Sequence, residues 1–282
     1  MIRSLNTSKS LKNILVIIFF IFVIMFYIAP VYISFLYSIK SDSDVLSKGP
    51  LEFPTKIDFK GVARAVERIN FFRTLFNTLF ITITSVISTV FLGSLASYAI
   101  ARSSRKKLFG SFYILFISGI LVPYQAIIIP LYIMGYKMNF VNNQFGVIFL
   151  YIAYGIPLSV FLFVGFLKTI PIEIEESAMI DGCNKWKTFW FIVFPMLKPA
   201  IAAVAVLRAL LVWNDFLIAR LFLQKNDLQT FTVRLSIFFQ QYRSYPNSAF
   251  GGIILASIPV ILLYLFAQKY IIKGITAGSL KG

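Results

Sequence analysis

The chain has 282 residues, of which 59% are hydrophobic and only 13% are charged, and its net charge is +16. A soluble domain usually contains about 25% charged residues, so this composition, with a mean hydropathy of +0.82, indicates a membrane protein. The absence of histidine and the single Cys183 exclude histidine-based metal sites, histidine acid–base catalysis and an intrachain disulfide.

The first residues are basic and precede a long apolar run, a pattern that superficially resembles a secretion signal. The run, residues 13–39, is longer than the roughly 7–15 residues of a signal core, and no small-residue cleavage site follows it. We therefore expect an uncleaved first membrane span.

Six apolar stretches along the chain approach or exceed the ~20 residues that a helix needs to cross the hydrocarbon core. The predicted spans are 14–37, 74–101, 109–136, 145–167, 199–223 and 250–272. Barrel strands would alternate apolar with polar residues, and these stretches do not. The sequence thus predicts an all-α, polytopic membrane protein with a single transmembrane domain over residues 1–282.

The short loops between the spans predict the orientation. Loop 102–107 contains four basic residues, whereas the loop around 137–143 contains one. The positive-inside rule places the first loop, and with it both termini, in the cytoplasm. Residues 168–198 then form a cytoplasmic loop between spans four and five, and residues 40–73 and 224–249 form external loops. Because topology accounts for the basic residues, we expect no nucleic-acid partner.

The cytoplasmic loop has the pattern of a short capped helix. Pro171 suits a first turn, acidic residues such as Glu173 follow it where the helix dipole favours anions, and Gly182 suits a helix C-terminus. Ser177 and Ala178 are small. We expect them to keep the helix thin enough to enter a groove on a partner protein.

This loop resembles the loop motif of permease subunits of ATP-binding-cassette (ABC) importers, which reads Glu-Ala-Ala, three residues, Gly, nine residues, Ile, any residue, Leu-Pro. The matching positions are Glu176, Ser177, Ala178, Gly182, Ile192, Phe194 and Pro195. Ser177 and Phe194 depart from the motif but keep its small or apolar character. The resemblance implies a coupling helix that docks into a cleft on a cytoplasmic ATPase. We expect this coupling role for Glu175, Glu176, Ser177, Ala178, Asp181, Gly182 and Pro195. The alternative is an interfacial amphipathic helix without a protein partner.

Other segments resemble carbohydrate importers in particular. Residues 94–102 and 122–132 are similar to the second and third spans of such permeases, and residues 213–216 and 273–282 are similar to the MalG-type subunit. The resemblance implies a second homologous permease, two ATPase subunits, an extracytoplasmic solute-binding protein and a location in the bacterial cytoplasmic membrane. The chain lacks the Gly-rich phosphate-binding motif of ATPases. We therefore expect no cofactor and no catalytic residue in this chain, with ATP and Mg²⁺ on the partner ATPase.

Span five contains the ionisable residues Arg208, Asp215 and Arg220, which are costly in a membrane and often pair there. Arg208 and Asp215 lie seven residues apart, hence on one helix face, and are candidates for such a pair. One interpretation is that Trp213, Asn214 and Asp215 line the translocation path. The alternative is a buried pair with a purely structural role.

Two further assignments leave alternatives open. Gln240, Gln241, Tyr242 and Tyr245 in the second external loop are candidate contacts for the binding protein, or else they belong to an ordinary solvated loop. The transported solute is expected to be a carbohydrate, and glycerol phosphate is the alternative within the same class. An ion-gradient-driven transporter would need inverted repeats and broken helices, and a membrane enzyme would need a catalytic constellation; the sequence shows neither.

Overall fold

The computed structural model describes residues 2–240 and 245–279, with side chains described for residues 13–239, 245–265 and 268. Every regular element in these ranges is a helix. In chain order the α-helices are α1 (Ile2–Ser38), α2 (Asp42–Ser47), α3 (Lys60–Arg68), α4 (Phe71–Arg102), α5 (Lys106–Leu121), α6 (Ile128–Lys137), α7 (Gln144–Leu167), α8 (Ile172–Ile180), α9 (Lys185–Thr188), α10 (Phe194–Met196), α11 (Lys198–Asn214), α12 (Leu217–Phe222), α13 (Phe231–Leu235), α14 (Ile237–Gln240) and α15 (Pro246–Ser279). One π-helical turn, Phe189–Val193, joins α9 to α10.

Several helices are long and apolar enough to cross a membrane, which confirms the all-helical, polytopic class. Among the described residues four qualify singly: Asn13–Ser38, Phe71–Arg102, Gln144–Leu167 and Pro246–Leu265. The pair Lys185–Met196 and Lys198–Asn214, bent by 72°, would add a fifth if it crosses as one span. The count of six spans stays a prediction.

The stretch expected to form one span over 109–136 is divided into α5 and α6. α5 ends before Val122, whose backbone is extended (φ −86°, ψ 107°). Pro123 follows directly, and a residue before proline is driven out of the helical region by the proline ring. The interruption therefore follows from local sterics.

The stretch expected over 199–223 is likewise divided, into α11 and α12. Asp215 is extended at the break (φ −69°, ψ 129°). Its carboxylate accepts hydrogen bonds from the amides of Ile218 at 3.0 Å and Ala219 at 3.4 Å. These are amides of the first turn of α12 that have no partner within the helix. Asp215 thus starts a new helix where the sequence predicted a continuous one.

The chain packs as two compact units, and the first comprises Met1–Phe71 and Leu235–Ser257. In this unit the segment predicted as an external loop folds around Asn247. The Asn247 amide donates to the Lys40 carbonyl at 3.1 Å and to Asp42 at 2.8 Å. Arg64 forms an ion pair with the same Asp42. This hydrogen bond from Arg64 is the main reason that the pKa of Asp42 lies below its usual range.

The second unit comprises Phe72–Arg234 and Ile258–Gly282. Its core includes residues of α4, α7 and α12, among them Ile81, Val147 and Phe222. Small residues bring α4 and α7 close together: a Cβ added at Gly93 would come within 2.9 Å of the Ser159 side chain. This is how membrane helices usually approach, since their packing depends on close contact rather than on the hydrophobic effect.

Candidate functional site

The loop over residues 168–198, which the sequence predicts to be cytoplasmic, contains the short helix α8, which ends as its sequence predicted. Gly182 follows it with φ +90°, a left-handed conformation that glycine adopts without a steric cost. The Gly182 amide donates to the Met179 carbonyl at 3.1 Å, and the Cys183 amide donates to the Ala178 carbonyl at 2.9 Å. Together these bonds form a Schellman motif, which fixes the direction in which the chain leaves α8.

α8 is fastened to the end of α4 by a buried carboxylate. Glu175 is only 3% exposed. It accepts hydrogen bonds from Arg102 Nε at 2.7 Å and from the Tyr98 hydroxyl at 3.0 Å. Arg102 also donates through Nη2 to the carbonyls of Leu167 at 3.1 Å and Ile170 at 2.9 Å. One guanidinium therefore joins α4, the end of α7 and α8.

The predicted coupling residues divide between the two faces of this loop. Ala178 is 6% exposed and lies on the buried face with Glu175, three residues earlier. The expectation that Ala178 thins a docking surface is therefore wrong: its side chain faces the interior of this chain. The remaining predicted residues are exposed: Glu176, Ser177, Asp181, Gly182 and Pro195.

The exposed face of the loop is apolar and acidic. Ile180, beside the Gly182 turn, is 86% exposed, and Ile172, Met179 and Trp186 are exposed as well. Glu176 lies on the same exposed side. Several exposed apolar side chains on one face of a loop are typical of a surface that another protein covers.

An apolar cluster supports the loop from the interior. Leu167, Ile170, Phe189, Val193 and Leu197 are buried together. Because they come from the end of α7, the start of the loop, the π-helical turn and the junction of α10 with α11, both ends of the loop are held in one core. The loop is thus a packed structural unit with two fixed ends.

Asp215 is at the wall of a cavity of about 470 Å³. The lining residues are Tyr124, Gln125, Tyr151, Tyr154, Arg208, Leu210, Leu211, Val212, Asn214, Asp215 and Ile218. The Asp215 carboxylate accepts hydrogen bonds from the hydroxyls of Tyr124 and Tyr151, each at 2.9 Å. Two of the three predicted path residues, Asn214 and Asp215, therefore line one cavity that also contains charged and polar side chains.

Trp213 lies elsewhere. It is buried, its ring is 6.0 Å from that of Phe231, and it lines a second cavity of about 370 Å³ that is almost wholly apolar. The pair expected between Arg208 and Asp215 is not formed. The Arg208 guanidinium donates instead to the Tyr151 carbonyl at 2.8 Å, because the break after α11 turns the Asp215 carboxylate toward α12.

The predicted contacts for a binding protein are only partly described. Gln241 and Tyr242 lie outside the described residues, and Gln240 is the last residue of α14 with its side chain outside the description. The Tyr245 ring lies beside two cations of its own unit, Arg64 at 4.8 Å and Arg68 at 5.1 Å. Tyr245 is therefore engaged within the chain.

Sequence reasoning missed four residues of these sites. Arg102 was considered only as one of the basic residues that predict the orientation. Its position at the end of an apolar span was a signal that it could also bind a side chain of the loop over residues 168–198. No motif or spacing in the sequence singled out Tyr98, Tyr124 and Tyr151. Their hydroxyls donate to Glu175 and Asp215, since a tyrosine hydroxyl withdrawn from water needs a partner.

Comparison with known proteins gave consistent matches. Residues 89–277 match the family described as "binding-protein-dependent transport system inner membrane component". A probable permease for starch degradation products from Thermoanaerobacterium thermosulfurigenes is 31% identical over 99% of both chains. The melibiose/raffinose/stachyose import permease of Bacillus subtilis is 37% identical over 90% of this chain and 91% of its own. Among solved structures, a bacterial ABC transporter involved in import of the acidic polysaccharide alginate superposes with a TM-score of 0.81 at 23% identity, covering 93% of this chain and 97% of the other.

Proposed function

The chain belongs to the family of binding-protein-dependent transport system inner membrane components, and on that basis we propose that it is a permease subunit of an ATP-driven importer for an oligosaccharide. It is a multi-pass protein of the bacterial inner membrane. Relatives similar over nearly their whole length are permeases for starch degradation products and for melibiose, raffinose and stachyose. Their shared solute class supports a carbohydrate as the solute here.

One observation carries the proposed coupling mechanism: α8 presents an exposed apolar and acidic face while Glu175 fastens its other face to Arg102 at the end of α4. A force on the exposed face is thereby transmitted to α4 and to the end of α7. ATP and Mg²⁺ are bound by a separate ATPase, whose closure moves α8 and reorients the spans. Solute then gains access to the opposite side of the membrane.

The complex that this mechanism requires has further components. A second homologous permease completes the pathway, two ATPase subunits cover the cytoplasmic loops, and an extracytoplasmic protein delivers the solute. A chain of a bacterial alginate ABC transporter superposes on this chain with a TM-score of 0.68. That transporter was solved in complex with a periplasmic protein bound to an alginate pentasaccharide. Both termini of this chain are cytoplasmic in the proposed topology.

Docking of the ATPase is tested with Ile180→Glu on the exposed face of α8. A buried glutamate in an apolar interface loses its hydration without gaining a partner, so we expect the ATPase subunit to be lost during co-purification. Leu46→Glu is the matched control, since Leu46 is also exposed but lies in α2 of the other unit. Retention of the ATPase and of solute-stimulated hydrolysis in Ile180→Glu would contradict the docking role of α8.

Orientation is tested with single cysteines in a Cys183→Ser background. A cysteine at Ser10 or Ser279 should resist an impermeant thiol reagent in intact cells, whereas one at Ser47 should react. Labelling of Ser279 from outside would overturn the proposed topology. The solute class is tested separately, by ATP-dependent uptake of oligosaccharides into proteoliposomes that contain the whole complex; a complex that takes up no carbohydrate would overturn the proposed function.

A further inference from the structure

The cavity around Asp215 contains one acidic and one basic side chain, and the two differ in how far their charges are satisfied. Both Asp215 and Arg208 line the cavity. They do not form an ion pair with each other. Each group therefore has to be considered with its own partners.

The carboxylate of Asp215 is fully engaged. One oxygen accepts from the Tyr124 hydroxyl, and the other accepts from the Tyr151 hydroxyl and the Ile218 amide, at 2.9–3.0 Å. Both oxygens of this carboxylate therefore have hydrogen-bond donors within the chain. Asp215 thus needs no cation from within the cavity.

The guanidinium of Arg208, unlike that carboxylate, has few hydrogen-bond partners and no oppositely charged partner among the described residues. The residue is 2% exposed, and a guanidinium has five N–H donors but no acceptor. Nη2 donates to the Tyr151 carbonyl, the guanidinium carbon lies 5.9 Å from the centre of the Tyr154 ring, and Nε has no acceptor among the described residues. No described carboxylate forms an ion pair with it.

The space for this cation is built into the neighbouring helix. A Cβ at Gly155 of α7 would come within 2.7 Å of Arg208 Nε, so a side chain at this position would displace the guanidinium from where it lies. A cation in a membrane segment that lacks an anionic partner is costly and marks a functional site by default. The missing negative charge is what a ligand would supply.

We propose that this cavity is a binding subsite for an anionic carbohydrate, in which Arg208 is the counter-ion of a carboxylate or phosphate group on the sugar. The cavity volume lies within the range of about 300–1,000 Å³ that small-molecule sites have. The rings of Tyr124 and Tyr154, 5.2 Å apart, offer apolar faces to a sugar ring, and the amides of Gln125 and Asn214 suit its hydroxyls. This inference rests on the proposed function and narrows its solute class.

The test measures weak binding directly, by saturation-transfer-difference NMR on the whole complex in nanodiscs without its solute-binding protein. The probes are maltotriose as a neutral sugar, trigalacturonate as a carboxylate sugar and glucose 6-phosphate as a phosphate sugar. We expect at least one anionic probe to give a signal several-fold larger than maltotriose. The anionic probe that gives the larger signal identifies the charged group.

The variants are Arg208→Gln, Arg208→Lys and the control Arg220→Gln, which removes an exposed arginine of α12. Arg208→Gln should lower the signal of the anionic probe at least tenfold and leave that of maltotriose within about twofold. Arg208→Lys should lower it only a few-fold, because lysine keeps the charge but loses the bidentate geometry. Arg220→Gln should change neither signal.

The inference is overturned if maltotriose and the anionic probes bind equally to the unaltered complex, or if Arg208→Gln lowers all three signals alike. If Arg208→Gln does not assemble, Arg208→Lys decides: an unchanged ratio of anionic to neutral signal would also overturn it. Each of these outcomes would overturn only the anionic subsite, because sugar uptake into proteoliposomes is measured separately. A complex that takes up no sugar at all would refute the proposed function instead.

Discussion

Replacing Glu175 by glutamine should release α8 from α4 without altering the membrane spans. The substitution keeps the shape of the side chain and removes the charge that Arg102 Nε contacts at 2.7 Å. Glu176→Gln is the matched control, since it makes the same chemical change one residue later on the exposed face of the same helix. Any difference between the two variants therefore reports the buried pair.

The free-energy cost of Glu175→Gln follows from the burial of the ion pair that it breaks. The side chains of Arg102 and Glu175 are 15% and 4% exposed, and removing one partner of a buried ion pair costs about 3–5 kcal/mol. Arg102 keeps its two bonds to the carbonyls of Leu167 and Ile170, which favours the lower end, about 3 kcal/mol. A change of 3 kcal/mol raises the population of a locally opened loop by about 100-fold, since each 1.4 kcal/mol is a factor of ten.

The chain carries its own reporter of such opening. Cys183 is its only cysteine, it is partly buried, and its amide closes the Schellman motif after α8. In membranes washed free of the ATPase, Glu175→Gln should accelerate labelling of Cys183 by a thiol reagent by up to about 100-fold, whereas Glu176→Gln should leave the rate unchanged. Exchanging the charges, with Glu175→Arg and Arg102→Glu together, should not restore slow labelling, because a glutamate cannot donate to the carbonyls that Arg102 contacts. Equal labelling rates in the two single variants would refute the reasoning.

Asp215→Asn should lower the thermal midpoint of the solubilised complex more than Lys225→Gln does. Each hydrogen bond to a charged carboxylate contributes about 1.5–3 kcal/mol to stability, whereas Lys225 is exposed. Equal midpoints would show that the hydrogen bonds from the tyrosines contribute nothing. Gly182→Val should destabilise the turn after α8 by at least about 1–2 kcal/mol, since φ is +90° there, and should abolish solute-stimulated ATPase activity. Gly165→Ala, at a helical position with open space around it, should leave this activity unchanged. Full stimulation in Gly182→Val would contradict the role of the turn. The pKa of Asp42 is lower in the folded protein than in the unfolded chain, where it is about 3.9. The ion pair of Asp42 therefore stabilises the fold at a pH above about 3.9, and this stabilisation is lost as the pH falls through the folded-state pKa. A spin label on α2 should therefore become more mobile on acidification below about pH 4, and Asp42→Asn should make it mobile already at pH 7; a label whose mobility is the same in both proteins at pH 7 would argue against this.

The sequence alone was sufficient for the properties that depend on local composition and spacing. Long charge-free stretches predicted membrane-spanning helices, because lipid offers no hydrogen bonds to an exposed backbone. Gly182 was predicted to end a helix, and its left-handed backbone agrees. The family resemblance in the loop over residues 168–198 likewise depends on residues that are neighbours in the chain, and the family match confirms it.

Only the tertiary structure decided which side chains meet across the chain. Glu175 and Arg102 are 73 residues apart, and their pairing places Ala178 on the inside of α8, opposite to the face that its small size suggested. Arg208 and Asp215 share a helical face only if the helix is continuous, and the break at Asp215 separates them. Spacing along one helix fixes a common face, but the partner of a buried charge is fixed by whichever distant donor or acceptor the packing brings within hydrogen-bond distance.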